Sequence, residues 1–156
     1  MMPNSIPNAL SQTIKTLLHA MVDCVQEQET IIFEEREAMQ NFDAEALTAL
    51  LERRARSQSM LHELESQCHV LAQQLDIPTT NQPMAYIIEH FASEYVDELQ
   101  NIRIELLRRM QALERDHLEN HVRLRAAWNV TTNILQHIGA VEAQPTYQSY
   151  ATQAVR

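Results

Sequence analysis

Glycine is almost absent from this chain, which has one glycine in 156 residues. Gly-rich phosphate loops and dinucleotide-binding fingerprints need several glycines for close backbone approach, so both are excluded. Tight β-hairpin turns also call for residues that tolerate positive φ, which disfavours a β-protein. Aromatic residues make up only 5%. The remaining composition, rich in Gln, Glu, Ala, Leu and Arg, predicts an all-α fold.

Cysteines and long apolar runs are also scarce. Cys24 and Cys68 are too few for a disulfide framework and lie within helical patterns, so we expect them to be reduced core residues. No stretch approaches about 18 consecutive apolar residues, so no membrane insertion is expected. The N-terminus has neither a basic segment nor an apolar run of the signal-peptide kind. These features predict a cytoplasmic protein.

Basic residues are outnumbered by acidic ones. The chain has 12 Lys and Arg against 21 Asp and Glu, a formal charge of −9. Because an acidic chain does not condense on phosphate backbones, nucleic acid is not an expected partner. Apolar residues make up 45%, which is enough for a core.

Apolar residues at steps of three and four predict four helices, over about residues 6–40, 44–75, 83–91 and 94–138. Asp43 is a good N-cap for the second, although a kinked continuous helix is an alternative there. The prolines of segment 76–83 mark the clearest loop. We therefore expect one helical domain over residues 1–139.

The last helix carries the strongest pattern. Its stripe predicts a coiled-coil-like seam in an elongated antiparallel hairpin or bundle with a very long C-terminal helix. Gly139 is the expected C-cap. Residues 140–156 lack periodicity and are expected to be a flexible tail. The stripe comprises Leu99, Ile102, Leu106, Met110, Leu113, His117, His121, Leu124, Trp128, Thr131, Leu135 and Ile138.

No catalytic constellation emerges. His117 and His121 are four apart, the spacing at which two imidazoles can share a metal, and Glu114 with His117 forms one Glu-x-x-His pair. Di-iron bundles need a second such pair, and none is present. A histidine phosphotransfer bundle is a remote alternative, since no histidine has a lysine three residues on. We expect no enzyme activity, no metal and no cofactor.

Two surface features of the helices remain to be explained, an acidic run and apolar side chains that exceed one seam. The first helix ends in an acidic run, which is either a solvated face or an acidic docking patch. One seam cannot bury three consecutive apolar side chains, such as Ile31, Ile32 and Phe33, because they point around too much of the helix. The pairs at 87–88 and 106–107 likewise point in different directions from their helices. Two interpretations of these apolar residues are open: they are buried against a third helix, or they form an exposed groove for a partner helix. The acidic run comprises Glu27, Glu29, Glu34, Glu35 and Glu37.

Three segments together resemble those of a known family. They are residues 37–47, the leucine–basic–leucine segment of 50–54 with Leu61 and Leu64, and the long last helix followed by Gln144-Pro145-Thr146-Tyr147. On these segments the chain resembles the flagellar export chaperones of the FlgN type over almost its whole length. That family carries two Asn three apart in the last helix. Asn120 fits the second, and His117 stands at the first. The family's tyrosine is followed closely by glycine, which Tyr147 is not.

The resemblance implies a function. Such chaperones bind the C-terminal amphipathic helices of hook-associated (hook–filament junction) proteins in the cytoplasm, prevent their premature assembly and deliver them to the type III export apparatus. We expect the cargo anchors to be Leu124, Trp128, Leu135 and Ile138, because buried Trp and Leu concentrate binding energy. The resemblance assigns Tyr147 to contact with the export gate and ATPase components.

A competing class is a structural coiled-coil protein. In that class the surplus apolar surface closes on a second copy of the chain, which makes the protein a homo-oligomer. The two classes differ in whether an amphipathic partner helix or the chain itself covers the surface.

Overall fold

The fold is all-α, as the sequence predicts. The structure is a computed structural model that describes residues 5–78 and 82–139. Its helices correspond one for one to the four predicted, and the described ranges contain no strand. They are α1 (Ser5–Gln40), α2 (Ala44–Gln74), α3 (Pro83–Phe91) and α4 (Val96–His137), with a single turn of 3-10 helix at Ser93–Tyr95 between α3 and α4.

A tight turn separates α1 from α2. Phe42 adopts a positive φ of 53°, and the amide of Asp43 donates to the carbonyl of Ala38 at 2.9 Å. The Asp43 carboxylate then accepts from the amide of Ala46 at 3.0 Å, so the predicted N-cap is confirmed and the helix is interrupted rather than kinked.

α1 is the central helix of the first compact unit, Met1–Asn120. Against α2 it runs antiparallel: Ser57 bonds to the carbonyl of Cys24, whereas Leu50 clusters with Ile31 and Ala38 further along α1. Against α4 it runs parallel, because its ion pairs advance together along both helices. Those pairs are Lys15–Glu98, Glu29–Arg109 and Arg36–Asp116.

The main core lies where α1, α2, α3 and the start of α4 meet. α3 contributes two fully buried side chains, Ile87 and Ile88, so this apolar pair is buried against other helices and is not a groove. Ser11 donates to the carbonyl of Ala92 at 3.3 Å and ties α1 to the α3–α4 junction. The other buried members are Ile14, Leu17, Leu18, Met21, Cys24, Val25, Leu64, Cys68, Ala92, Leu99 and Leu106.

The predicted seam of α4 is confirmed only as far as Asn120. Leu99, Leu106, Leu113 and Asn120, each seven residues apart, are buried. Beyond them every side chain of residues 121–131 is exposed, so the expectation of one continuous seam to Ile138 is wrong. Burial stops at Asn120, where a hydrogen-bonding amide stands in place of leucine, although the apolar stripe of the sequence continues beyond it.

The chain divides within α4. The second compact unit, His121–Arg156, contains the end of this helix. Gly139 follows it with a φ of 74°, and its amide donates to the carbonyl of Gln136 at 3.1 Å, so the predicted C-cap is confirmed. The expected flexible tail, residues 140–156, lies outside the described residues.

Candidate functional site: an exposed apolar face on α4

The four predicted cargo anchors all lie in the second unit, on the last turns of α4. Trp128 is 70% exposed, Ile138 71% and Leu124 40%, and Leu135 is half-buried. Trp128 is the only tryptophan of the chain. Large apolar side chains are mostly buried in folded proteins, so this exposure makes Trp128 a candidate anchor, and its role in binding cargo stays a prediction.

The helix brings these anchors onto one face. Their steps of four, seven and three residues place all four side chains within an arc of about 80°, at about 100° per residue. Val130 and Ile134, both more than half exposed, widen the same face at one edge to an arc of about 160°. We call Leu124, Trp128, Val130, Ile134, Leu135 and Ile138 the α4 apolar face.

Sequence reasoning missed Val130 and Ile134. They stand four apart, but they fall off the three–four stripe that runs through Leu124, Trp128 and Leu135. The signal that identifies them is the width of the apolar arc beyond Asn120, which exceeds what one seam against a single helix can bury.

The helix extends through this face on local interactions. Ala126 and Ala127 have high helix propensity. Thr131 Oγ1 donates to the carbonyl of Ala127 at 3.0 Å, and His137 Nδ1 lies 2.7 Å from the carbonyl of Asn133. The Gly139 cap closes the last turn. These contacts are local to α4, and the apolar side chains of its face are accessible.

The acidic end of α1 is largely an interhelical ion-pair belt. Arg53 of α2 donates to Glu27 at 2.8 Å and also to Glu34, and hydrogen bonds to these two carboxylates raise the pKa of its guanidinium. Arg109 of α4 holds both carboxylate oxygens of Glu29, at 2.9 and 2.6 Å, which likewise raises its pKa. These carboxylates are matched by arginines of the same unit, which leaves a weak basis for an acidic docking patch.

The basic segment of α2 has a related role. Arg54 pairs with Glu35, and both side chains are largely buried. Arg53 and Arg54 thus bind the acidic side chains of α1.

Two of the open depressions of the first unit border α2. One, of about 440 Å³, lies between α2 and α4, and its lining includes Ile32, Leu61, Leu107 and Met110. The buried Nε2 of Gln28, which also borders it, has no hydrogen-bond partner. The other, of about 570 Å³, lies between α1 and α2 beside Cys24 and Met60.

The consecutive apolar residues on α1 and α4 differ in burial. Ile31 and Ile32 are buried, whereas Phe33 is 62% exposed. Leu106 is buried in the seam, and Leu107 borders the α2–α4 depression. Burial against neighbouring helices thus accounts for one or two members of each run and leaves Phe33 and Leu107 at the surface.

The histidines form no metal centre in the described ranges. His117 borders the α2–α4 depression and is half-buried, whereas His121 is exposed in the second unit. Over residues 5–78 and 82–139, no group of three or more His, Cys, Asp or Glu side chains is placed to hold a metal ion. Tyr147, the predicted gate contact, lies outside the described residues.

Both cysteines are free thiols in the core. Burial, with Glu65 nearby, raises the pKa of Cys68, and burial, with Asp23 nearby, raises that of Cys24. A protonated, covered thiol is a poor nucleophile, so neither cysteine is placed for covalent chemistry.

Comparison of the chain with protein-family models, with curated proteins and with solved structures finds no match. In the part of the chain that the structure describes, no helix combines the length and apolar character needed to cross a membrane.

Proposed function

We propose that this protein is a cytoplasmic export chaperone of the flagellar type III system. It binds hook-associated proteins, prevents their premature assembly and delivers them to the export apparatus. The observation that carries the proposal is the α4 apolar face, with Trp128 at 70% exposure in a helix capped at its end. The resemblance to FlgN-type chaperones supplies the identity of the cargo.

The physical argument is that this face suits an amphipathic helix. A wide apolar arc on one helix matches the recognition of amphipathic helices, in which anchors at steps of three and four are buried by a partner. The C-terminal helices of hook-associated proteins are segments of that kind, according to the resemblance. Covering them removes the apolar surface through which they assemble, and this requires neither ATP hydrolysis nor a metal from the chaperone.

Substitution of the central anchor tests the cargo site. Trp128→Ala is expected to weaken binding of a hook-associated protein by about tenfold or more, because one large anchor contributes about 2–4 kcal/mol. Leu51→Ala is the matched control, since Leu51 is an exposed apolar residue of α2 in the other unit. Calorimetric titration of both variants measures the difference. Unchanged affinity in Trp128→Ala would place the cargo site elsewhere, with Phe33 the next exposed aromatic to test.

Self-association is the second candidate, because the same exposed face could close on another copy. Mass measurement in solution, with and without a hook-associated protein, separates the two. A monomer that forms a one-to-one complex supports the chaperone. A dimer that cargo does not dissociate, and whose Trp128 is shielded from quencher, supports the structural coiled coil.

Delivery is assigned to Tyr147 and rests on the resemblance alone. Removal of residues 140–156, or Tyr147→Ala, is expected to leave the melting temperature and cargo affinity close to wild type while binding to the export gate and filament assembly fall. A melting temperature lowered by several degrees would instead make the tail part of the fold.

A further inference from the structure

The charge of the chain is distributed unevenly along its length. Residues 1–120 contain nine Lys and Arg against 20 Asp and Glu, a formal charge of −11. Residues 121–139 contain two arginines, Arg123 and Arg125, and no acidic residue. The α4 apolar face thus lies on a segment with a formal charge of +2, in a chain whose formal charge is −9.

The two arginines border the apolar arc on opposite edges. At about 100° per residue, Arg123 falls at the edge that carries Val130, and Arg125 falls beyond the edge that carries Trp128. Both are exposed. Arg123 also has a polar or electrostatic interaction of its own within the chain, so Arg125 is the cleaner probe.

We propose that the segment that binds the α4 apolar face is an acidic amphipathic helix, whose carboxylates flank its apolar ridge and meet the arginines at the two edges. This inference rests on the proposed function and specifies the chemistry of the cargo segment. Complementary charge at the rim speeds encounter and rejects partners of the wrong sign, while the apolar ridge supplies most of the affinity.

A lipid surface fits the charge less well. Electrostatic attachment to anionic lipid typically uses about four to eight clustered Lys or Arg, against two here. A second copy also carries acidic residues in its first unit, where Glu27, Glu29 and Glu34 are paired with arginines. Closure on a second copy is therefore a separate outcome of the test.

The test uses two synthetic tryptophan-free helical peptides that share one apolar ridge and differ in their flanking residues, Glu in one and Lys in the other. Because Trp128 is the only tryptophan, its emission reports occupation of the face in the full-length protein. The Glu peptide is expected to bind about tenfold more tightly than the Lys peptide at low salt, and the advantage should shrink at about 0.5 M NaCl.

Charge reversal gives the second arm. Arg125→Glu should abolish or invert the preference for the Glu peptide. Arg56→Glu, at an exposed arginine of α2 in the first unit, should leave the preference near wild type and serves as the control.

The outcomes separate this inference from the proposed function. Equal binding of both peptides overturns the charge inference and leaves apolar docking of hook-associated cargo intact. Binding of neither peptide also overturns it, and calorimetry with a hook-associated protein then decides the proposed function independently. A shift of Trp128 emission with anionic vesicles alone, or with protein concentration alone, would assign the face to a lipid surface or to a second copy.

Discussion

The side-chain amide of Asn120 donates to the main-chain carbonyl of Ile32 at 3.0 Å and joins α4 to α1 at the end of the buried seam. Asn120 is 3% exposed, and its other polar contacts are also satisfied. Its Nδ2 reaches Glu35 at 3.2 Å, and its Oδ1 accepts from Arg36 at 2.9 Å. A buried asparagine at a seam position sets register, because any slip leaves its amide unpaired.

The hydrogen bonds around Asn120 connect to ion pairs that reach α2. Glu35, which contacts Asn120, also pairs with Arg54 of α2, and Arg36 lies 3.7 Å from Asp116 and from Glu119 of α4. A polar layer thus ties α1, α2 and α4 together at the level where burial along α4 stops.

Asn120→Ala is expected to lower the free energy of unfolding by about 1–3 kcal/mol, because it removes a buried side chain together with its hydrogen bonds to Ile32, Glu35 and Arg36. Urea unfolding followed by circular dichroism measures the loss. Asn101→Ala is the control, since Asn101 is exposed on the same helix. Equal stabilities of the two variants would contradict the role assigned to the amide.

Arg53→Gln should reduce stability modestly, by up to about 1 kcal/mol, because the Arg53, Glu27 and Glu34 side chains are each more than a third exposed. Salt screens such pairs, so the difference from wild type is expected to narrow at about 1 M NaCl. Arg56→Gln, on the exposed side of α2, should lower the free energy of unfolding by less than Arg53→Gln at every salt concentration. A difference that grows with salt would rule out an electrostatic origin.

The buried thiols predict a pH dependence. Burial raises the pKa of Cys68 above the value of about 8.5 that it has when unfolded, so the folded state holds the proton to higher pH. Linkage then requires the stability from this group to be complete below about pH 8.5 and to fall as pH rises through the folded-state value. Cys24 behaves in the same sense.

Unfolding experiments between pH 8 and 10 measure this effect. The free energy of unfolding of wild type should fall more steeply than that of a Cys24→Ala, Cys68→Ala double variant, which removes both thiols and leaves other titrating groups in place. Thiol-specific labelling of the native protein at pH 8 should be slow and should accelerate in urea. Fast labelling of both cysteines in the native protein would mean that the thiols are not covered.

Sequence periodicity predicted the elements that depend on local chemistry. The four helices, the cap at Asp43 and the cap at Gly139 each follow from side chains within a few residues. The ion-pair belt could not be predicted in the same way. Pairing of Glu29 with Arg109 depends on the parallel alignment of α1 and α4, which are separated in the chain by α2 and α3.

The α4 apolar face illustrates the same limit. Its anchors Leu124 and Trp128 continue the heptad-like stripe of Leu99 and Leu106, so periodicity alone treats both halves as one seam. What separates them is the environment: the first half packs on α1, and residues 121–131 are exposed. The one sequence signal at the transition is Asn120, whose meaning depends on its hydrogen bonds to α1.

The last prediction contrasts two large apolar side chains, one buried and one exposed. Ile88→Ala is expected to lower the free energy of unfolding by about 2–5 kcal/mol, because Ile88 is fully buried and its truncation leaves a cavity. Trp128→Ala should change it by no more than about 0.5 kcal/mol, since an exposed side chain contributes little to the core. Before cargo is added, the emission of Trp128 in wild type should be readily quenched by acrylamide. A Trp128→Ala loss of about 2 kcal/mol or more in the free monomer, together with poor quenching, would mean that the side chain is packed, and the α4 apolar face would then lose its central anchor.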